Sequence, residues 1–213
     1  MSFIPEISII AQFAVAAIVL SITPGPDMTL FVGRALSEGP SAGFACMFGA
    51  MTGILLHSIM VAAGLSALIL ASPQAFLGLK VIGAVYLAWL AFQAIRSGSA
   101  FSPDTKKRPA KPLVRNWMTG IGINLLNPKI ILFFVTFLPQ FVSADDPHAP
   151  GKLFFLGMFL VAIAIPITTP MILAAGSFAA MMRRSRRISR IVDWLFAGVF
   201  SAFALRILMV ETR

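Results

Sequence analysis

The sequence has little charge, two histidines and a single cysteine, and each scarcity argues against a class of function. Charged residues make up 12% of the chain, against roughly a quarter in ordinary soluble domains. Two histidines are too few for a convincing transition-metal pathway, and Cys46 has no second cysteine for a disulfide or dithiol step. No phosphate-binding glycine loop, nucleophilic triad or metal-ligand spacing is present. We therefore expect neither an enzyme nor a bound metal or cofactor.

Apolar residues, in contrast, are abundant. They make up 58% of the 213 residues, and the mean hydropathy is +0.90. One membrane-spanning helix needs about 20 apolar residues, so six spans use nearly the whole chain. No lysine or arginine precedes the first apolar run, and no cleavage site follows it, so we interpret that run as helix 1 rather than a signal peptide. We predict an all-α integral membrane protein of about six helices, at residues 7–36, 43–70, 75–95, 117–141, 152–181 and 191–209.

The net charge of +9 is concentrated in two predicted loops. Twelve of the seventeen basic residues fall on one side of the predicted membrane, namely the two clusters and Arg34, which lies with Glu38 in the first predicted loop. This asymmetry makes that side cytoplasmic and places both termini outside. Anionic lipid headgroups, rather than nucleic acid, are the expected contact of these cations. The two clusters are Arg96, Lys106, Lys107, Arg108, Lys111 and Arg115, and Arg183, Arg184, Arg186, Arg187 and Arg190.

Two of the apolar runs are interrupted by proline. Helix 1 contains Pro24-Gly25-Pro26, and helix 4 contains Pro128. Proline lacks an amide hydrogen and disfavours helical geometry in the preceding residue, so backbone carbonyls are left without donors. Within a bilayer such a break is tolerated only where it is buried in protein or lines a polar cavity. Paired breaks in two halves are typical of transporter binding sites, although a plain kink that serves packing is the alternative.

The two breaks also suggest an internal repeat. Six helices with both ends outside divide into two triplets of opposite direction, and matching Pro26 to Pro128 sets Asp27 against Lys129. We predict a 3+3 inverted repeat within one transporter domain: residues 1–96, a basic loop at 97–115, and residues 116–213.

Asp27 and Lys129 are the main candidate site residues, because each follows a break inside apolar sequence. Burying a lone charge there costs at least about 2.5–3.5 kcal/mol, so pairing, neutralisation or a polar cavity is expected. The opposite charges suit a zwitterion, with Lys129 meeting a carboxylate and Asp27 an ammonium group or a coupling proton. A structural ion pair that locks the two halves together is the competing interpretation.

Other polar residues are secondary candidates. Asn124 and Asn127 precede the second break and either line the cavity or cap freed backbone groups. His57, near the middle of helix 2, is a proton relay or an interhelical hydrogen bond. Gly49 and Gly53, four residues apart on helix 2, allow close approach of another helix, within the chain or in a dimer.

The segments Ile22–Asp27, Asn124–Lys129 and Phe137–Phe141 resemble the LysE/RhtB family of amino-acid exporters, and Leu79–Leu87 resembles that family's third helix. The resemblance covers nearly the whole chain. It implies a six-helix exporter of the bacterial inner membrane that exchanges amino acids for protons, and in that membrane the two outer termini are periplasmic. The proline pattern is more similar to the RhtB branch, which implies a neutral substrate of the threonine or homoserine type. Export of another small solute or a metal ion, and a membrane scaffold or assembly role, are the alternatives, and a homo-oligomer is one option for the assembled state.

Overall fold

A computed structural model of the 213-residue chain describes residues 3–71, 106–107, 109–143 and 146–184, together with residues 78, 85, 190, 191, 194, 195, 197–199, 201 and 202. The predicted third helix, apart from residues 78 and 85, and most of the predicted sixth lie outside the described residues. All regular secondary structure in the described part is helical. Its helices are α1 (Ile7–Ile22), α2 (Pro26–Glu38), α3 (Pro40–Ala71), α4 (Leu113–Leu125), α5 (Pro128–Leu132), α6 (Ala149–Leu173) and α7 (Ala175–Arg184).

The predicted interruptions of helices 1 and 4 are confirmed. The axis bends by 48° between α1 and α2 and by 53° between α4 and the segment Pro128–Phe141. Each second helix begins with proline, because a proline in the first turn loses no intrahelical hydrogen bond and has a suitable fixed φ. Beyond α5 the chain continues through a π-helical turn, Phe133–Phe137, and a 3₁₀ turn, Leu138–Phe141.

Among the described residues, two helices are long and apolar enough to cross a membrane unbroken, within Pro40–Gly64 and Ala149–Leu173. If each bent pair is also one span, the described part of the chain contains up to four. α6 runs through Pro166 and Pro170. The expected run at residues 152–181 is corrected in one respect: it divides at Ala174, where α6 ends and α7 follows.

The connection between α2 and α3 is shorter than the loop expected around Arg34 and Glu38, which both lie in α2. Only Gly39 separates the helices, and its φ of 101° lies in a region that side chains rarely adopt. The Glu38 carboxylate accepts hydrogen bonds from Arg34, from the Lys111 backbone N–H at 3.0 Å and from Asn116 Nδ2 at 3.1 Å. These bonds tie the end of α2 to the start of α4.

Helices α3 and α4 make very close backbone contact. A Cβ atom at Gly49 would lie 2.0 Å from the Trp117 carbonyl oxygen, and one at Gly120 would lie 2.1 Å from the Cys46 carbonyl oxygen. Gly53 is likewise in close contact with α4, here with the side chain of Asn124. The expected glycine face therefore serves packing within the chain and brings α3 against the helix that leads into the second break.

Aromatic packing holds the two broken helices together. Phe13 of α1 lies with its ring centroid 5.8 Å from that of Phe133 and 5.4 Å from that of Phe141. Phe137 packs between the same two rings, and Phe13, Phe133 and Phe137 are at most 1% exposed. Buried aromatic pairs of this kind add to the gain from apolar burial. The breaks are thus fixed side by side in the core.

Candidate functional site between the broken helices

The second break is shaped by the side chain of Asn127. Its Oδ1 accepts a hydrogen bond from the Lys129 backbone N–H at 3.0 Å, which caps the start of α5. Asparagine is a favoured N-cap because its short side chain can reach the unpaired amide groups of the first turn. The cap fixes the start of α5 and thereby the position of Lys129 in its first turn.

The first break leaves carbonyl groups that the second break satisfies. Since Pro24 has no N–H, the Leu20 carbonyl four residues earlier loses its helical partner. Lys129 Nζ donates to the Leu20 carbonyl at 3.1 Å and to the Thr23 carbonyl at 2.9 Å. Gly25 allows this approach, because a Cβ there would lie 3.2 Å from Lys129 Nζ. The lysine therefore joins the two breaks directly.

Asp27, in the first turn of α2, is held by the two asparagines of the second half. Its Oδ2 accepts hydrogen bonds from Asn124 Nδ2 and Asn127 Nδ2, each at 3.0 Å. Its Oδ1 is buried and has no hydrogen-bond partner. Among the described residues, ion pairs within 4.0 Å join Arg34 to Glu38 and Lys152 to Asp146, whereas Asp27 and Lys129 are not so joined. The two charges are neighbours with separate partners.

A small cavity of about 50 Å³ lies at this junction. It has a polar part, formed by both charged residues, and a wall that is mostly apolar. Such a volume is enough for water but smaller than an amino acid. Its lining comprises Leu20, Ser21, Thr23, Asp27, Met28, Phe31, Ala50, Met51, Ile54, Asn124, Lys129, Ile130, Leu160, Ala164 and Thr168.

The secondary candidates Asn124, Asn127 and His57 differ in their position relative to the cavity. Asn124 lines the cavity, whereas Asn127 caps α5 and holds Asp27 without lining it. His57 stacks on Phe134 with ring centroids 5.3 Å apart, and its Nε2 is buried without a partner. His57 does not line the cavity either. Within the described residues no cluster of three or more histidine, cysteine or acidic side chains could hold a metal ion.

The part of the cavity wall that α3 and α6 contribute was not predicted from the sequence. Met51 and Ile54 come from α3, and Leu160, Ala164 and Thr168 come from α6. The four-residue spacing on α6 places its three residues on one helix face. That spacing is visible in the sequence, but an apolar helix repeats it on several faces. The sequence therefore does not show which face lines the cavity.

The family model described as LysE type translocator matches residues 18–211 of the chain. The chain belongs to the LysE type translocator family. This match confirms the resemblance seen in the motifs, and it includes both broken helices. No solved structure matches the chain.

Among relatives of this LysE type translocator, a leucine efflux protein of Klebsiella pneumoniae is 26% identical over 204 residues, covering 94% of each chain. An uncharacterized membrane protein of Bacillus subtilis, YrhP, is 31% identical over 166 residues, covering 74% of this chain and 78% of the relative. An uncharacterized membrane protein of Vibrio cholerae is 29% identical over 197 residues, covering 92% and 94%. The family and these relatives together support a translocator that is embedded in a membrane.

Proposed function

We propose that this translocator exports a neutral α-amino acid, which it binds as a zwitterion between Asp27 and Lys129. One observation carries the proposal: both charged groups line the cavity, and both keep hydrogen-bonding capacity that the protein does not use. Asp27 Oδ1 has no partner. Lys129 Nζ has three N–H donors, of which two are given to carbonyl groups.

The ammonium group of the substrate would bind on the Asp27 side. Besides Asp27 Oδ1, the cavity lining offers the hydroxyl oxygens of Ser21 and Thr23. Their hydroxyl hydrogens are already donated to the Ala17 carbonyl at 2.7 Å and the Val19 carbonyl at 2.6 Å. The oxygens therefore remain as acceptors, which suits a cationic group.

The carboxylate would bind the remaining N–H of Lys129. Charge-assisted hydrogen bonds are about twice as strong as neutral ones. Recognition of both ends would explain why opposite charges are kept near each other without direct pairing.

The side chain of the substrate would lie against the apolar wall. Met28, Phe31, Met51, Ile54 and Leu160 supply most of it, and such a surface favours an aliphatic group over a hydroxyl group. The relative named a leucine efflux protein agrees with this preference. We therefore propose a leucine-like substrate ahead of one of the threonine or homoserine type.

Binding requires the cavity to enlarge, since about 50 Å³ is less than an amino acid occupies. We propose that the two bent pairs move relative to α3 and α6, which opens the cavity to one side at a time. The similar bends of 48° and 53°, each followed by a long helix, support the inverted repeat of residues 1–96 and 116–213.

We also propose exchange for a proton. When the substrate ammonium leaves, Asp27 Oδ1 loses its partner, and protonation of the carboxylate would remove the uncompensated charge. His57 is a weaker candidate for proton transfer, because its ring is stacked on Phe134 outside the cavity lining. A pH-sensitive dye inside proteoliposomes tests the exchange, which requires proton movement that depends on the exported amino acid.

We further propose periplasmic termini, from the distribution of basic residues. In right-side-out membrane vesicles, an impermeant thiol reagent should label a Lys107→Cys variant only after permeabilisation. Asp146→Cys, in the loop between α5 and α6, should be labelled at once. Native Cys46 is 0% exposed and gives little background. Immediate labelling at position 107 would contradict this orientation.

The test of export itself is counterflow in proteoliposomes. Vesicles loaded with unlabelled leucine should accumulate external labelled leucine transiently, and vesicles without the protein should not. Threonine and homoserine, assayed in parallel, should give slower uptake. If no amino acid shows protein-dependent counterflow, the proposed function is wrong.

A further inference from the structure

One part of the cavity wall is formed by a stripe of three residues on α6. Leu160, Ala164 and Thr168 follow one another at intervals of four residues and all line the cavity. All three are nearly buried, with exposures of 1%, 5% and 6%. The stripe belongs to a different helix from the residues that would hold the ammonium and carboxylate groups. It is therefore available to the part of a substrate that varies between amino acids.

The centre of this stripe has the smallest side chain. Ala164 lies one turn from the larger Leu160 and one turn from Thr168. The Thr168 hydroxyl donates to the Ala164 carbonyl at 2.8 Å and contacts Met47 Sδ at 3.1 Å. Because its hydrogen is committed within the protein, Thr168 does not offer a donor to the cavity. Ala164 is thus the smallest side chain that α6 contributes to the cavity wall.

A second alanine, Ala50, also lines the cavity, but its surroundings differ. It follows Gly49 on α3, where the backbone contact with α4 leaves no room for adjustment. Because Ala50 is adjacent to that helix contact, a variant at this position would test helix packing and the cavity together. Ala164 is the position at which the size of the cavity can vary with less change to the fold.

From these observations we infer that Ala164 sets the largest side chain that the exporter accepts. The inference rests on the proposed function, because it takes the cavity as the amino-acid site. One added or missing methylene in an apolar pocket changes discrimination by about 10- to 200-fold. A larger residue at position 164 should therefore reject leucine while still accepting alanine, and a smaller one should admit phenylalanine.

The experiment compares counterflow of alanine, leucine and phenylalanine by the wild type, Ala164→Leu, Ala164→Gly and the control Ala162→Leu. Ala162 lies on the same helix but is exposed, so its replacement adds the same atoms outside the cavity. We expect Ala164→Leu to lower the leucine-to-alanine ratio by about 10-fold or more. Ala164→Gly should raise the phenylalanine-to-leucine ratio, and Ala162→Leu should change neither.

The outcomes separate this inference from the function on which it rests. An active Ala164→Leu protein with the wild-type leucine-to-alanine ratio would overturn the inference and leave the export function intact. If Ala164→Leu moves no amino acid, Ala164→Gly decides: a raised phenylalanine-to-leucine ratio supports the inference, and an unchanged ratio overturns it. Wild-type protein that moves no amino acid would overturn both.

Discussion

Replacement of Asp27 by asparagine should lower export by about 10- to 100-fold while the protein still folds and inserts. The expected loss corresponds to about 1.5–3 kcal/mol for a hydrogen bond to a charged group. Folding should be preserved, because an asparagine oxygen at position 27 can still accept the hydrogen bonds from Asn124 and Asn127. Export rate and membrane abundance are measured side by side.

Lys129→Met should reduce export to a similar degree and also lower the abundance of the protein. The reason is that Lys129 Nζ satisfies two carbonyl groups at the first break, and methionine leaves both without a donor. This structural contribution distinguishes Lys129 from Asp27. Lys129 is therefore a joint between the breaks as well as a candidate ligand for the substrate.

The double variant tests the alternative of a structural ion pair. Asp27 and Lys129 do not lie within 4.0 Å of each other as an ion pair, so removing both charges should not restore export. Asp146→Asn combined with Lys152→Met is the matched control, since it removes an ion pair near the start of α6. The control should export normally. Wild-type export by the Asp27→Asn, Lys129→Met protein would show that the pair serves structure only.

The second large effect is expected at the contact between α3 and α4. Gly120→Ala would place a Cβ 2.1 Å from the Cys46 carbonyl oxygen, so the two helix backbones must separate. Overpacking costs about 1–3 kcal/mol and occasionally more. Because the clash here is with backbone, we expect the upper end, which corresponds to a fall in Tm of about 6–12 °C.

Gly122→Ala is the matched control for that substitution. It lies two residues away on the same helix, and a Cβ there meets nothing within 4 Å. Alanine is preferred over glycine in a helix by about 0.5–1 kcal/mol, so the Tm should stay the same or rise slightly. Thermal unfolding of the purified proteins in detergent measures both. Equal Tm values for the two variants would contradict the close backbone contact.

Much of the site was predictable, because the relevant residues break strong local rules. Proline in an apolar helix and a charge beside it both carry a cost that only a polar, buried environment offsets. Asp27, Lys129 and the two breaks could be identified for that reason. The family resemblance rested in part on the same residues, since two of the motifs that carry it are the broken segments themselves.

The partners of these residues could not be predicted. Sequence alone left open either a substrate site or an Asp27–Lys129 ion pair. In the structure Asp27 accepts hydrogen bonds from two asparagines, and Lys129 donates to two backbone carbonyl groups. Such choices depend on how far each side chain reaches across a helix contact, which local sequence does not specify. The role proposed for Ala164 could not be predicted from the sequence either, because an alanine in an apolar helix has no chemical feature that indicates a cavity.

The hydrogen bonds of Glu38 illustrate a second limit. Arg34 and Glu38 were expected in the first loop, but the helix continues to Glu38, and Lys111 and Asn116, more than 70 positions away, satisfy its carboxylate. Long-range partners can thus extend a helix beyond the boundary that polarity suggests.

The central claim is that one site recognises both charged ends of an amino acid, and inhibition of leucine counterflow by analogues tests it most directly. Isoamylamine keeps the ammonium group without the carboxylate, and 4-methylpentanoate keeps the carboxylate without the ammonium group. Unlabelled leucine should inhibit at concentrations about 10-fold or more below those needed for either analogue, since each analogue leaves Asp27 or Lys129 unmatched. Inhibition by either analogue at the same concentration as leucine would contradict binding between the two charges.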